Sequence, residues 1–511
     1  MTSAEAPSAT DDTPPIPPRY WWLKRILLAV GVLILALVAL RWWWGYEAER
    51  RLQANIDEYR AAGQPVTIED FQFPPVPDED NAAHFLTSAH STLARPSLQD
   101  AVAEDLYSYP DGLSEHADAA GRWVAANAET LRLVREARGK DNADWGVRIK
   151  SPAINTVLPQ LSGQRALARF LCTTALFQHH AGDDAAAVET LRDTLAQGQM
   201  FGEMRAFLVG HLVAITIDAL AVDALESIAP TLLVAAQHPP DRPEVTPATR
   251  AQIHALIADL LDEETLRENW RWAIYGERLS VLDSVKLATT TPGAVMTVGG
   301  GGLPPQPLAR FLEPMFKLDA VFMMKFCAAY AEAGLSTDYH QAKHTASGFP
   351  RFESNIERTA HLLSWNLLPS LDVSIRFHFQ ALAARRMAAT AVAIRLYELD
   401  HGGRPISLEE LVPDYLSSVP ADPFAADGRS LGYRPDAPKP VLYSVGVDGK
   451  DDGGEYEVIA TGLVTSDALD LVFFLDGDRP WPIPASLATQ PAGPEAVEDE
   501  GNEVGNGGQP E

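Results

Sequence analysis

The sequence predicts a mainly α-helical protein: one transmembrane helix near the N-terminus, a multi-helix body, and a small α+β module towards the C-terminus. Three observations carry that expectation. The run from Ile26 to Leu40 holds no polar side chain. From about residue 82 to 237, apolar residues recur at the three- and four-residue spacing of buried helix faces. After Gly402 the pattern changes to short apolar stretches separated by Gly, Pro and Asp, the punctuation of strands and turns.

Size and charge set the first bounds. A chain of 511 residues exceeds one ordinary core, and its length suggests roughly two to four units. Hydrophobic residues make up 46% and charged residues 22%, a globular composition. Forty-one Lys+Arg stand against 69 Asp+Glu, giving a net charge of −28. Such a surface repels phosphate backbones, and no local basic patch offsets it, so no nucleic-acid partner is expected. Cys172 and Cys327 each sit in an apolar helical context. Both read as buried free thiols, although pairing would need their segments to meet in space.

The anchor is the first element. The run 26–40 alone falls short of the ~20 residues that cross ~30 Å of hydrocarbon. Its flanks make up the difference. Trp21 and Trp22 precede it, and Trp42, Trp43 and Trp44 follow it; tryptophan favours both interfaces of a bilayer. Lys24, Arg25 and Arg41 snorkel outward from the same positions. Residues 22–44 are therefore expected to meet a lipid bilayer. A cleavable signal peptide is the nearest competitor, but Arg41-Trp42-Trp43-Trp44 replaces the small residues that cleavage needs. Basic residues nearly balance across the span. The short polar N-terminal tail, residues 1–20, favours a cytoplasmic N-terminus and a body on the periplasmic or exoplasmic side.

Beyond the anchor, Leu52, Ile56 and Tyr59 continue a helical spacing that Gly63 ends. Three prolines at 74, 75 and 77 force an extended stretch. Asp78-Glu79-Asp80-Asn81 then offers N-cap groups to a helix starting near Ala82. The body, residues 45–288, continues almost wholly helical. A break is expected from Pro239 to Pro247, and a flexible loop at 289–306 around Gly299-Gly300-Gly301-Gly302. That glycine run lacks the Gly-Lys-Ser/Thr ending and the preceding strand of a phosphate cradle. A helical segment is expected at 307–354, a long helix with a small module at 355–486, and a disordered acidic tail at 487–511.

Within the body, Gly182, Ala187 and Leu191 stand where a tetratricopeptide repeat places its turn, small and large packing residues. The segment resembles one such helical hairpin. No neighbour recurs at the repeat period, so an array is not expected.

At the C-terminal end, a helix through Ala383, Met387, Ala391, Ile394 and Tyr397 leads to Asp400-His401-Gly402-Gly403. Ser407-Leu408-Glu409-Glu410-Leu411, Asp422-Pro423-Phe424, Gly432-Tyr433-Arg434 and Leu442-Tyr443-Ser444 follow, then a Gly-Asp loop from Gly446 to Gly454. This order resembles the globular part of the major pseudopilin of type II secretion. The resemblance covers about 80 residues (Ala383 to Gly454 with the flanking strands). It departs from that family in lacking a cleavage motif and a membrane helix directly before the module. The whole layout, with Pro75-Val76-Pro77-Asp78-Glu79-Asp80-Asn81, also resembles families of membrane-anchored bacterial proteins found notably in planctomycetes. That likeness implies placement at a bacterial inner membrane and no activity.

The pseudopilin resemblance implies a calcium loop, with Asp448, Asp451 and Asp452 as its carboxylates. Calcium wants about six to eight oxygens. A tight turn explains the same Asp-Gly pairs, and Lys450 places a positive charge among them. Both readings stay open. His340 and His344 are four apart with Asp338 beside them, but no Glu follows His340 as a zinc peptidase requires; a solvated loop or helix end is expected. His179 and His180 end a helix, where imidazole meets terminal carbonyls. No nucleophile elbow, paired cysteine ligands or dinucleotide fingerprint occurs. Three functions remain as expectations: an anchored interaction or scaffold protein with a protein partner, a secretion or envelope-assembly component, and a hydrolase with dispersed residues.

Overall fold

The computed structural model describes residues 20–481 apart from 159, 206, 236–244, 291–296, 299–300, 303–305, 349–353, 355–356, 358–360, 459–463 and 466–468. Residues 1–19 of the expected N-terminal tail and all of the C-terminal one lie outside the described residues, as do most of the Pro239–Pro247 break and much of the 289–306 loop.

Helix α1 (Trp21–Ala61) is one unbroken helix of 41 residues. Its apolar window has a mean hydropathy of 2.5, and none of that window is buried in protein. Nothing interrupts the helix at residue 44. It runs straight into the body and stops before Gly63, which turns the chain at φ +73° where a side chain would be strained. The second half is fastened on several sides. Ala48 and Asn55 are buried, Lys317 pairs with Glu49 at 2.6 Å, and the buried Arg278 donates to Gln64 Oε1 and the Pro65 carbonyl.

Helices α2 (Ala82–Thr92), α3 (Leu113–Ala126) and α4 (Ala128–Arg138) follow. Asn81 caps α2 as its sequence predicts: its Oδ1 accepts from Ala83 N at 3.1 Å. Helices α5 (Leu161–His180) and α6 (Asp184–Gly202) form a hairpin turning at Gly182, φ +83°. Ala187 and Leu191 of α6 are buried.

Helix α7 (Leu208–Ile228) lies at the centre, packed against α5, α6 and α9 (Glu264–Thr290). An 18-residue window within residues 208–231 has a mean hydropathy of 1.8, enough by length and composition to span. The protein itself is the solvent here: 67% of that window is buried. Helix α8 (Arg250–Leu261) precedes α9. The pair β1 (Thr297–Val298) and β2 (Gly301–Gly302), and then α10 (Gln306–Phe311), α11 (Glu313–Ala333) and α12 (Tyr339–Ala346), come after it.

Helix α13 (Leu362–His401) ends at Gly402, φ +76°. It packs against β4 and β7 of the sheet, and also against α7, α8 and α11. One continuous core runs from Phe71 to Leu475, joining the C-terminal module to the helical body. In the module, β3 (Gly432–Arg434), β4 (Val441–Ser444) and β7 (Leu471–Phe474) form an antiparallel sheet in that order. The short pair β5 (Glu457–Val458) and β6 (Val464–Thr465) stands apart from it. Alternation decides the faces. Leu442 and Phe473 are partners that join the main core, while Val441, Tyr443, Val472 and Phe474 form a second cluster with Tyr456. Asp422 locks the module from inside: its carboxylate accepts from Ser444 Oγ at 2.6 Å and from Val445 N at 2.8 Å.

Candidate functional site: a cleft between α7, α13 and β7

A cleft of about 540 Å³ combines an apolar lining with charged side chains at one end. Its walls follow from helical periodicity. Leu212, Ile215, Thr216, Ala219 and Val222 form one stripe of α7, and Phe377, Ala381, Ala384 and Met387 form the facing stripe of α13. Leu471, Val472 and Phe473 of β7 close one end. Phe377 of α13, which lines the cleft, remains partly exposed.

Three carboxylates and one guanidinium gather at the β7 end. Glu226 is 1% exposed. Its Oε2 accepts from Arg479 Nε at 2.5 Å, and its Oε1 accepts from Phe474 N. Burial pushes its carboxyl up to about 7, against the pull of Arg479. Arg479 also donates to the Val472 carbonyl at 3.1 Å, so the ion pair stitches α7 to β7 and the chain beyond it. Asp470 is fully buried and accepts from Gly454 N at 2.6 Å and Asp452 N at 3.4 Å. Burial raises it to about 6. Asp223 lines the cleft one helical turn from Glu226. Burial raises its carboxyl while Arg479 opposes. Among the described residues it makes no hydrogen bond. The cleft therefore offers an apolar bed with one carboxylate free to accept.

The carboxylates expected for calcium lie beside this end but point to separate partners. Asp448 holds Lys450, through its ammonium at 2.8 Å and its backbone N–H at 3.0 Å; the Lys450 contact lowers its pKa. Asp451 accepts from Arg429 at 2.8 Å, Tyr443 Oη at 3.1 Å and Gly453 N at 3.0 Å. Asp452 gives its N–H to Asp470. Gly446, Gly449, Gly453 and Gly454 all have positive φ, the geometry a tight turn demands. No group of three His, Cys, Asp or Glu side chains able to hold a metal occurs among the described residues.

His340 and His344 lie near the two ends of a short helix, α12, within the expected loop or helix end, and Asp338 is its N-cap, accepting from Gln341 N at 2.8 Å. One histidine expectation is corrected. His179 does not meet helix-end carbonyls. Its Nδ1 bonds Asp184 at 2.5 Å and its Nε2 bonds Thr231 Oγ1 at 2.9 Å. This hydroxyl–imidazole–carboxylate order fastens the α5–α6 turn to the end of α7. None of the three lines the cleft. Cys172 and Cys327 are buried and free, with Cys327 pushed up to about 12 by burial.

Sequence reasoning missed a buried histidine pair. His378 Nε2 donates to the Gly334 carbonyl at 3.1 Å, so its Nδ1 must accept from His211 Nε2 at 3.2 Å. Trp270 packs on both rings. Burial pushes both histidines down, His211 to about 3, and keeps them neutral. The pair ties α7, α13 and the end of α11 together. Asp223, Glu226, Asp470 and Arg479 were missed as well. The one local signal for the three carboxylates was charge inside otherwise apolar segments, as in Leu469-Asp470-Leu471-Val472.

No protein family model, curated protein or solved structure matches this chain.

Proposed function

We propose that this chain is a single-pass membrane-anchored protein of a bacterial cell envelope, whose helical body serves as an interaction or scaffold protein. One observation carries the reading: α1 presents an apolar window with no protein around it and tryptophans at both ends, then continues unbroken into the body. A soluble core helix would be covered; this one needs lipid. The cleft supports a binding role, since it is apolar, large enough for a side-chain cluster or small ligand, and carries an acceptor in Asp223. The α5–α6 hairpin, read as a lone tetratricopeptide-type unit, adds no repeat groove. The body is assigned to the periplasmic or exoplasmic side.

Carbonate extraction of membranes tests the anchor. The full chain is expected in the pellet and a chain lacking residues 1–45 in the supernatant; a full chain released by carbonate refutes the reading. A reporter enzyme active only outside the cytoplasm, fused after residue 486, tests the side. Silence of that reporter reverses the orientation.

A second reading, an envelope-assembly component related to pseudopilins, is favoured by one arrangement: a long helix, a short 3-10 turn at Leu408–Leu411, then an antiparallel sheet laid on the helix. Secretion-system subunits recovered with the detergent-solubilised chain would select it over the first.

A further inference from the structure

Helix α10 ends at the level where α1 leaves its apolar stretch. Arg41 is the first charged residue after the apolar window, and Trp42, Trp43 and Trp44 follow it. The Arg41 side chain reaches sideways to the end of α10. Its Nε donates to the Phe311 carbonyl at 3.0 Å and its terminal nitrogen to the Arg310 carbonyl at 2.8 Å. Those carbonyls lack intrahelical partners at a helix C-terminus, and a cation is the natural complement. The same guanidinium stands 5.8 Å from the Phe311 ring and 5.9 Å from the Trp44 ring. One arginine thus pins α10 to the tryptophan girdle, and a helix rise of about 1.5 Å per residue leaves little axial distance between them.

The pinned helix is apolar on its open side. Leu308 is 47% exposed and Phe311 57% exposed. Beside them, Trp42 is 73% exposed and Trp43 58%. The sequence leading into α10 fits the same environment: no charged residue occurs from Leu287 to Ala309. A stretch without charge enters the headgroup layer without the desolvation cost that charge would impose. Arg310, exposed between the two apolar side chains, suits phosphate headgroups.

We propose that α10 is a second, shallow membrane contact, with Leu308 and Phe311 resting in the same interfacial layer as Trp42 to Trp44. The inference rests on α1 being a membrane span. Lipid rather than a protein partner is the occupant because this face adjoins the girdle that marks the bilayer surface. Two contacts, one spanning and one interfacial, fix the tilt of the body as a single anchor cannot.

Depth-dependent quenching of the full chain in phosphatidylcholine nanodiscs tests this. An environment-sensitive fluorophore is placed by Leu33→Cys, Leu308→Cys, Phe311→Cys or, as a solvent control, Leu98→Cys, which is 99% exposed. The native thiols are fully buried and escape labelling. Lipids carrying a doxyl quencher near the headgroup should dim positions 308 and 311 at least twofold more than position 98. A quencher deep in the acyl chain should act most on position 33. Quenching at 33 with none at 308 and 311 overturns the second contact, leaves the anchor standing and frees that face for a protein partner. No quenching at 33 overturns the membrane reading on which the proposal rests.

Discussion

Replacing Arg385 by methionine should cost the body about 4 kcal/mol, because that guanidinium answers four acceptors at once, Asp218 and the Leu260 carbonyl in buried bonds and two carbonyls in part-buried ones. Arg385 is fully buried. It donates to Asp218 Oδ2 at 2.6 Å, to the Leu260 carbonyl at 3.0 Å, and to the Asp259 and Asp262 carbonyls at 2.5 and 3.0 Å. Three of those acceptors are the C-terminal carbonyls of α8, so one side chain from α13 caps α8 and neutralises α7. Methionine fills the volume but leaves Asp218 charged and unpaired. Breaking a buried pair from one side costs about 3–5 kcal/mol, and each buried acceptor left bare adds roughly 1–3 less whatever water recovers. The expected loss is read as a shift in the urea midpoint of the full chain in micelles, followed by tryptophan fluorescence. The pH dependence has a definite sign. Burial already raises Asp218 against the pull of Arg385. Without Arg385 the folded pKa climbs further above the unfolded value, so the deficit is largest at neutral pH and shrinks as falling pH protonates the carboxyl. Adding Asp218→Asn should restore about 2 kcal/mol by removing the stranded charge. A loss below about 1 kcal/mol, or a deficit that grows on acidification, refutes the reasoning.

Two further outcomes are expected. Glu226, raised to about 7, binds its proton more tightly folded than unfolded, so its share of stability is complete below about pH 4 and disappears as pH rises through 7; Glu226→Gln should flatten the decline in melting temperature between pH 5 and 8, and an unchanged slope counts against the assignment. Millimolar calcium followed by a chelator should leave the melting midpoint of the full chain where it was, because Lys450 already holds Asp448, and Arg429 already holds Asp451; a calcium-dependent rise that Asp451→Ala abolishes restores the metal loop.

Elements written in contiguous residues were legible. The tryptophan-bounded run gave α1, Gly63 and Gly402 gave two helix ends, and Asn81 gave a cap, because each rests on chemistry within a few positions. The strands at Tyr433 and Tyr443 followed in the same way from short stretches set off by Gly, Pro and Asp. The site was not legible. His211 meets His378 across 167 residues, and Glu226 meets Arg479 across 253. No local pattern encodes a pairing at that range. Residues singled out by local spacing behaved locally: His340 and His344 share a short helix, and Asp448 turns back to Lys450 two residues on.

Helices α1 and α7 show why hydropathy alone misjudges such a chain. Both are long and apolar enough to span, at mean hydropathies of 2.5 and 1.8. What separates them is where their polar groups sit. In α1 the charges stand at the ends of the apolar window, where Arg25 packs on Trp21 and Arg41 reaches α10. In α7 the polar groups are spread along the helix, as His211, Asp218, Asp223 and Glu226. Each of these except Asp223 has a hydrogen-bonding partner from a distant part of the chain: His378, Arg385 and Arg479. In lipid those groups would be stranded, at a cost that side-chain apolarity elsewhere in the helix does not offset. Inside the body they are the bonds that hold α7 to α13 and β7. The polar residues that lower the hydropathy of α7 are therefore the ones that assign it to protein. Asp223, the member left without a hydrogen bond, is the one that faces the cleft.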